Sequence, residues 1–331
     1  MRRLVSLAAC LLMIGLFASA GGAATPPPPS LQTLLARYSP VVVLHPQERF
    51  QPVPVDGFLA DADLYQQTGG GWQKVDEPLP SGLSGYRLDQ RLCSPREGIA
   101  AIPCYAAAQD AHAAPPTIYG NASRRGDRIV LQYWLFYYDN PLLLPATPVG
   151  TFWQSHEGDW ELVNVVLDAD EHPIEAAFSQ HCSGKKKAWT AVEKSPSGST
   201  HPVAYVALGS HANYFAPGTG PEGAVPINPA CFGAIAAILP PFLHVVDQVI
   251  DGSAGGAVVG PPGSGVDAAT IHHIEGTTWS EFGGAWGESE YFFTPIRLGP
   301  FVGAIPAGLA PASPANQANW NVNTILAWPS A

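Results

Sequence analysis

The chain is poor in charge. Of its 331 residues only 13% are Asp, Glu, Lys or Arg, and its 16 Lys and Arg are outnumbered by 27 Asp and Glu. Neutralising nucleic-acid phosphates needs clustered cations, and holding to anionic lipid by charge alone needs the same. The balance argues against both. The single basic cluster, KKKAW at Lys185 to Trp189, reads as a solvated loop. Long apolar runs are scarce beyond residue 24. The longest, FGAIAAILPPFLHVV, is broken by Pro240 and Pro241 and falls short of the ~20 residues of a membrane span. Two catalytic signatures are absent as well. HEGDW carries Trp160 where a zinc-protease HExxH needs its second His. LGSHA around Ser210 lacks the leading Gly of a nucleophile elbow. No internal repeat is visible.

What is present starts with a leader. Arg2 and Arg3 precede an apolar run from Leu4 to Phe17 and the small-residue stretch ASAGGAA, the pattern of a secretory signal peptide cut after Ala20 or Ala24. Residues 1–24 are read as that signal, 25–30 as a Pro-rich linker, and 31–331 as one domain. Without Arg2 and Arg3 the balance is 14 cations against 27 acids, a net charge of −13. Cys10 leaves with the leader, so Cys93, Cys104, Cys182 and Cys231 remain. An even count in an exported chain reads as two disulfides. Cys93–Cys104 and Cys182–Cys231 are the favoured pairs, with two other pairings formally open and a reactive Cys182 beside His181 the sharper alternative.

Gly and Pro number 34 each, which suits short strands joined by many turns. LQTLLARY at Leu31 to Tyr38 is expected to form a brief helix, because Leu31, Leu34 and Leu35 share a face. PVVVLH, RIVLQYWLFYY, ELVNVVLD, IEAAFSQH and PVAYVALGSHANYF are rich in Val, Ile, Tyr and Trp and bounded by turn residues, so they read as strands. GAIAAILPPFLHVVDQVIDG reads as a helical excursion followed by a Gly-rich loop, an insertion at about residues 231–265. The expected fold class is mainly β: an antiparallel β-sandwich with long loops and a short helical insertion.

Charge gathers where it is least expected. In QSHEGDWELVNVV, one His and three carboxylates fall between His156 and Glu161, just ahead of an apolar strand. Gly158 disfavours a helix there, and a strand beginning near Asp159 places Asp159 and Glu161 on one face with Val163, Val165 and Leu167. Burying two carboxylates uncompensated costs several kcal/mol each. The neighbours on offer are a histidine network through His181 and His211, or a metal ion held by Asp139, His156, Asp159 and Glu161. That oxygen-rich set with one imidazole suits Ca²⁺ ahead of Mg²⁺ or Mn²⁺, with Zn²⁺ disfavoured. A polar knot that caps the strand end without an ion is the plain alternative. HHIEG at His272 to Gly276 reads as surface loop.

Five segments in order, YSPVVVLHPQERFQPVPVDGFL, QYWLFYYDNP, HEGDWE, ALGSHANYF and FGGAWGE, resemble the vacuolar protein sorting-associated protein 62 family. That family's activity is poorly defined, so the resemblance implies little mechanism. More distantly, QYWLFYYDNP and HEGDWELV are similar to the core of the necrosis- and ethylene-inducing peptide-like cytolysins, where an acidic turn precedes a GHRHDWE heptapeptide. This second resemblance implies a β-sandwich holding a divalent cation, usually calcium, needed for membrane damage through sphingolipid head groups. By position its ligands would be Asp139, His156, Asp159 and Glu161. Ser155 and Gly158 depart from the heptapeptide, and the loop from Asp139 to His156 is longer.

Three functional readings follow. In the first, a secreted protein, extracellular or periplasmic, binds glycan or lipid head groups through the metal site and makes peripheral membrane contact. His181, His211, Trp153 and Trp286 are its candidate ligand contacts, with Trp189 a further loop tip. In the second, an exported hydrolase cleaves glycosidic or phosphoester bonds, with Asp159, Glu161, His181 and His211 as its acid–base or ligand groups. In the third, the protein is structural or adhesive and the cluster only braces strands.

Overall fold

The computed structural model describes residues 30–76, 79, 85–147, 150–181, 183–218, 224–226, 244–246, 256–289, 291–292, 305–306 and 310–331. The leader, the linker up to residue 29, Cys182 and Cys231 lie outside them. Strands β1 (Val41–Leu44), β2 (Ala62–Thr68), β3 (Gly71–Val75), β4 (Tyr86–Gln90), β5 (Thr117–Arg125), β6 (Arg128–Thr147), β7 (Gly150–Leu167), β8 (Pro173–Gln180) and β9 (Ser183–Ala188) come first. They are followed by β10 (Val203–Val206), β11 (Asn213–Tyr214), β12 (Ala224–Pro226), β13 (His244–Val246), β14 (Val258–Gly260), β15 (Asp267–Ala268) and β16 (Thr270–His273). The helices are α1 (Leu31–Tyr38), α2 (Val55–Asp61), α3 (Ile102–Ala111) and α4 (Val322–Leu326).

The protein is mainly β, a sandwich of a six-stranded and a five-stranded sheet. The larger has the order β16-β5-β6-β7-β8-β9 and the smaller β11-β10-β1-β14-β15. A third sheet, β3-β2-β4, stands beside them. Neighbours in the larger sheet are antiparallel except β16 and β5. In the smaller, β1 runs parallel to β10 and β14 parallel to β15, so the strands are less uniformly antiparallel than expected.

Alternation explains the layers. Along β1, Val42 and Leu44 enter the main core, while Val41 and Val43 turn to a second cluster with Val203, Tyr205 and Tyr214, as period-two geometry requires. The main core is rich in aromatics: Trp134, Tyr133, Phe136, Trp160, Phe178, Phe282 and Trp286 are all buried. The helix read at Leu31 to Tyr38 is α1, with the Ser30 side chain capping the Thr33 amide at 3.1 Å and Leu34, Leu35 and Tyr38 buried. Cys93 and Cys104 form a disulfide at the head of α3.

Some expectations shift. β7 begins at Gly150 rather than near Asp159, so HEGDWE lies inside the strand. It pairs along its length with β6 as a long antiparallel ribbon. The insertion at 231–265 falls mostly outside the described residues; within it, His244–Val246 pairs with β12 and Val258–Gly260 joins the smaller sheet. No helix among the described residues is long and apolar enough to cross a membrane.

Candidate functional site

The ribbon carries the site. Across it Leu135 faces Glu161, Tyr137 faces Asp159, Asp139 faces Glu157, and Asn140 faces His156. Gly158 has a left-handed backbone with φ 56°, the conformation in which glycine carries no steric penalty. A methyl group there would also lie 2.5 Å from the Trp286 carbonyl oxygen. Strict alternation from Asp159 to His156 is broken at this point, which is why Asn140, opposite His156, donates its side-chain amide to Asp159 Oδ2 at 2.9 Å.

His211 supplies the counter-charge for Asp159. Its Nδ1 lies 2.9 Å from Asp159 Oδ2, and its Nε2 lies 3.6 Å from Glu48 Oε2. The ring stacks flat on Tyr137, centroids 3.9 Å apart, and meets Phe50 edge-on. Its own backbone is left-handed, φ 54°, an uncommon state for a residue with a side chain. Burial alone would lower the His211 pKa; Glu48 and Asp159 overcome it and raise it to about 9. Glu48 follows the reverse logic. Burial would raise its pKa, but His211 and the Gly209 and Phe50 amides bring it below the usual glutamate value. Asp159 thus shares a buried imidazolium with a carboxylate from the β1–α2 connection.

The other candidate ligands are each bonded to the protein. Asp139, fully buried, accepts from Ser155 through Oδ1 at 3.1 Å, and its Oδ2 has no partner. Burial pushes its pKa up to about 8. Glu161 takes a short hydrogen bond from the Ser179 hydroxyl. His156 turns Nδ1 to the carbonyls of Glu157 and Gly158, at 3.4 and 3.2 Å, and burial lowers its pKa. A neutral ring with Nδ1–H on a carbonyl keeps its lone pair on Nε2, the arrangement a metal-ligating histidine adopts. Yet no three of Asp139, His156, Asp159 and Glu161 bring ligand atoms within 4.8 Å of one another. Among the described residues that distance is met by Asp168, Asp170 and His172, a carboxylate–histidine group able to hold a metal ion in the exposed β7–β8 turn. There Asp168 Oδ1 already accepts the amides of Asp170 and His172. The donor types of the original four suit a hard cation, but their spacing does not form a ready ligand set.

The remaining expected contacts are placed as follows. Trp286 is a correction: it is 0% exposed, packed against Phe136, Trp160 and Phe58, with its indole N–H on Ser313. Its Gly-rich flanks let the chain dive into the core rather than form a loop tip. Trp189 is half-buried, edge-on to Tyr38 and beneath Lys194. The Trp153 side chain lies outside the described residues. His181 is half-buried in the turn after β8, with φ 58°. Sequence reasoning missed Glu48, Tyr137, Asn140 and Glu157, and only the long-range pairing of the ribbon with its surroundings reveals them.

No family model matches the chain, and no curated protein does, so the resemblance to the vacuolar protein sorting-associated protein 62 family rests on its motifs alone. Solved structures do match. "NLPPya in complex with glucosamine" is 16% identical over 58% of this chain and 69% of its own, with a TM-score of 0.29. "Necrosis and Ethylene inducing Protein 2 from the causal agent of cocoa's Witches Broom disease" is 17% identical over 59% and 71%, with a TM-score of 0.30. "Toxin fold as basis for microbial attack and plant defense" is 19% identical over 58% and 71%, also at 0.30. The chain is thus similar in structure to necrosis- and ethylene-inducing toxins at low identity and low overall superposition.

Proposed function

We propose that this is an exported β-sandwich binding protein. Its buried acidic cluster takes up a divalent cation, Ca²⁺ ahead of Mg²⁺ or Mn²⁺, and it recognises glycan or lipid head groups at a membrane surface. One observation carries the reading. Glu48, Asp139, Asp159 and Glu161 are buried carboxylates in and around a cluster whose resident cation is His211, and Asp139 keeps an unpartnered oxygen there. Uncompensated buried charge is costly, and a hard dication offsets it with the ligand types present. Asp139, His156, Asp159 and Glu161 would hold the ion. Asn140, Ser155, Ser179 and His211 would orient these ligands from behind, as outer-shell partners do.

The ion would bridge the protein to hydroxyl or phosphate oxygens of the head group. The hydrolase reading is weaker, because His211 is fully buried between Glu48 and Asp159 and is poorly placed to accept a proton from water. Elemental analysis of the purified mature protein, with melts in calcium and in chelator, tests the proposal. Near-stoichiometric calcium and a chelator-sensitive melting temperature are expected, together with calcium-dependent binding to glycolipid liposomes. Metal-free protein whose melt ignores both additions would sink it.

A further inference from the structure

One carboxylate of HEGDWE belongs to no candidate ligand set. Glu157 is fully buried, and its side chain accepts from the Tyr105 hydroxyl at 2.7 Å, the Glu288 amide at 3.0 Å and the Gln90 amide at 3.2 Å. Its own backbone N–H donates to the Glu288 carbonyl at 3.0 Å. The contact is too close for any side chain at Gly287, where a methyl group would lie 2.1 Å from Glu157 Cβ. Glu288 is itself fixed by Arg87 at 3.1 Å and by Arg96. Three separate elements, β4, α3 and the 286–288 segment, therefore close on one carboxylate next to the left-handed Gly158.

We propose that Glu157 is a positioning residue for the acidic cluster. By tying the ribbon to β4, α3 and the 286–288 segment, it fixes the left-handed backbone at Gly158 and with it the aim of His156 and Asp159. Residues three apart on a regular strand point to opposite faces. The left-handed backbone at Gly158 interrupts this rule, so that Asn140, across the ribbon from His156, holds Asp159. Glu157 touches neither ion nor ligand and acts through its neighbours.

The proposal rests on the cation-binding reading, and its test separates the two. Calcium affinity is measured by titration calorimetry on the mature wild type, Glu157→Ala and Glu157→Gln, and the ring ¹⁵N shifts of His156 are recorded for each without metal. Glu157→Ala is expected to weaken calcium binding roughly 10–100-fold, the range typical of outer-shell partners, and to shift the His156 ring signals. Glu157→Gln still accepts from the Glu288 amide and donates to the Tyr105 oxygen, so it should restore most of both. Wild-type affinity and unmoved His156 signals in Glu157→Ala would overturn the proposal. If the wild type takes up no calcium, the cation reading alone falls and the His156 shifts decide: moved in Ala and recovered in Gln upholds positioning, unmoved overturns it. Should Glu157→Ala not fold, Tyr105→Phe is read by the same two measurements.

Discussion

Glu157 and Asp159 stand on either side of one glycine and are both buried, yet they are stabilised by opposite means. Asp159 meets a cation: His211 lies against it, backed by Glu48. Glu157 meets only neutral donors, a phenol and two backbone amides. The electrostatic outcome differs accordingly. His211 is held protonated, with its pKa raised to about 9, whereas burial pushes Glu157 up to about 8 because hydrogen bonds from neutral groups do not fully offset desolvation. A charge pair and a hydrogen-bond cradle can thus sit two residues apart on one strand, and they should respond differently to mutation and pH.

The largest effect should come from His211→Ala, which strips the counter-charge from Glu48 and Asp159 together. Breaking a buried pair by removing one partner costs about 3–5 kcal/mol, read as a lower urea midpoint; a loss under 1 kcal/mol would show that the pair is not a true charge pair. On the other side, Tyr105→Phe removes one donor from Glu157 and should cost roughly 1.5–3 kcal/mol in the same assay. A neutral result would mean that water replaces the phenol. Gly158→Ala strikes the hinge between the two sites, forcing an alanine into a left-handed backbone against Trp286, with an expected loss of roughly 1–3 kcal/mol.

The last comparison is the pH slope. His211 is raised from 6.5 to about 9, so its stabilisation is complete below 6.5 and is lost as pH rises through 9. Asp139 and Glu157, raised from 3.8 and 4.5 to about 8, bind a proton more tightly when folded, and their contribution also declines as pH rises towards 8. All three slopes share a sign. His156, lowered by burial, acts in the opposite sense, but its contribution is complete above 6.5. Metal-free protein should therefore lose stability as pH rises from there towards 9, and calcium held by an ionised Asp139 should flatten the curve. A midpoint that rises with pH would contradict the assignment.

The fold was largely legible because its signals are local. Ser30 and the Leu34/Leu35 face mark α1, and β-branched runs mark β1, β6 and β8. The acidic cluster was half legible: HEGDWE announces itself, but strict alternation misjudges it, since the glycine that interrupts the pattern also redirects it. His211, 52 residues from Asp159, was among the neighbours expected for the carboxylates, and it does meet Asp159. What closes the Glu157 side was hidden by distance along the chain: Tyr105 is 52 residues away and Glu288 is 131. Trp286 misleads for a related reason, because its glycine neighbours resemble a loop and serve instead to admit a close backbone approach.

That last separation bears on how the molecule is made. Glu157 leaves the ribosome long before the segment that shelters it, and until Trp286 to Glu288 are synthesised the ribbon has a bare carboxylate and an open groove in place of a finished core. Nascent or prematurely terminated chains should therefore hold β6 and β7 loosely, and maturation of the acidic cluster should be among the last events of folding.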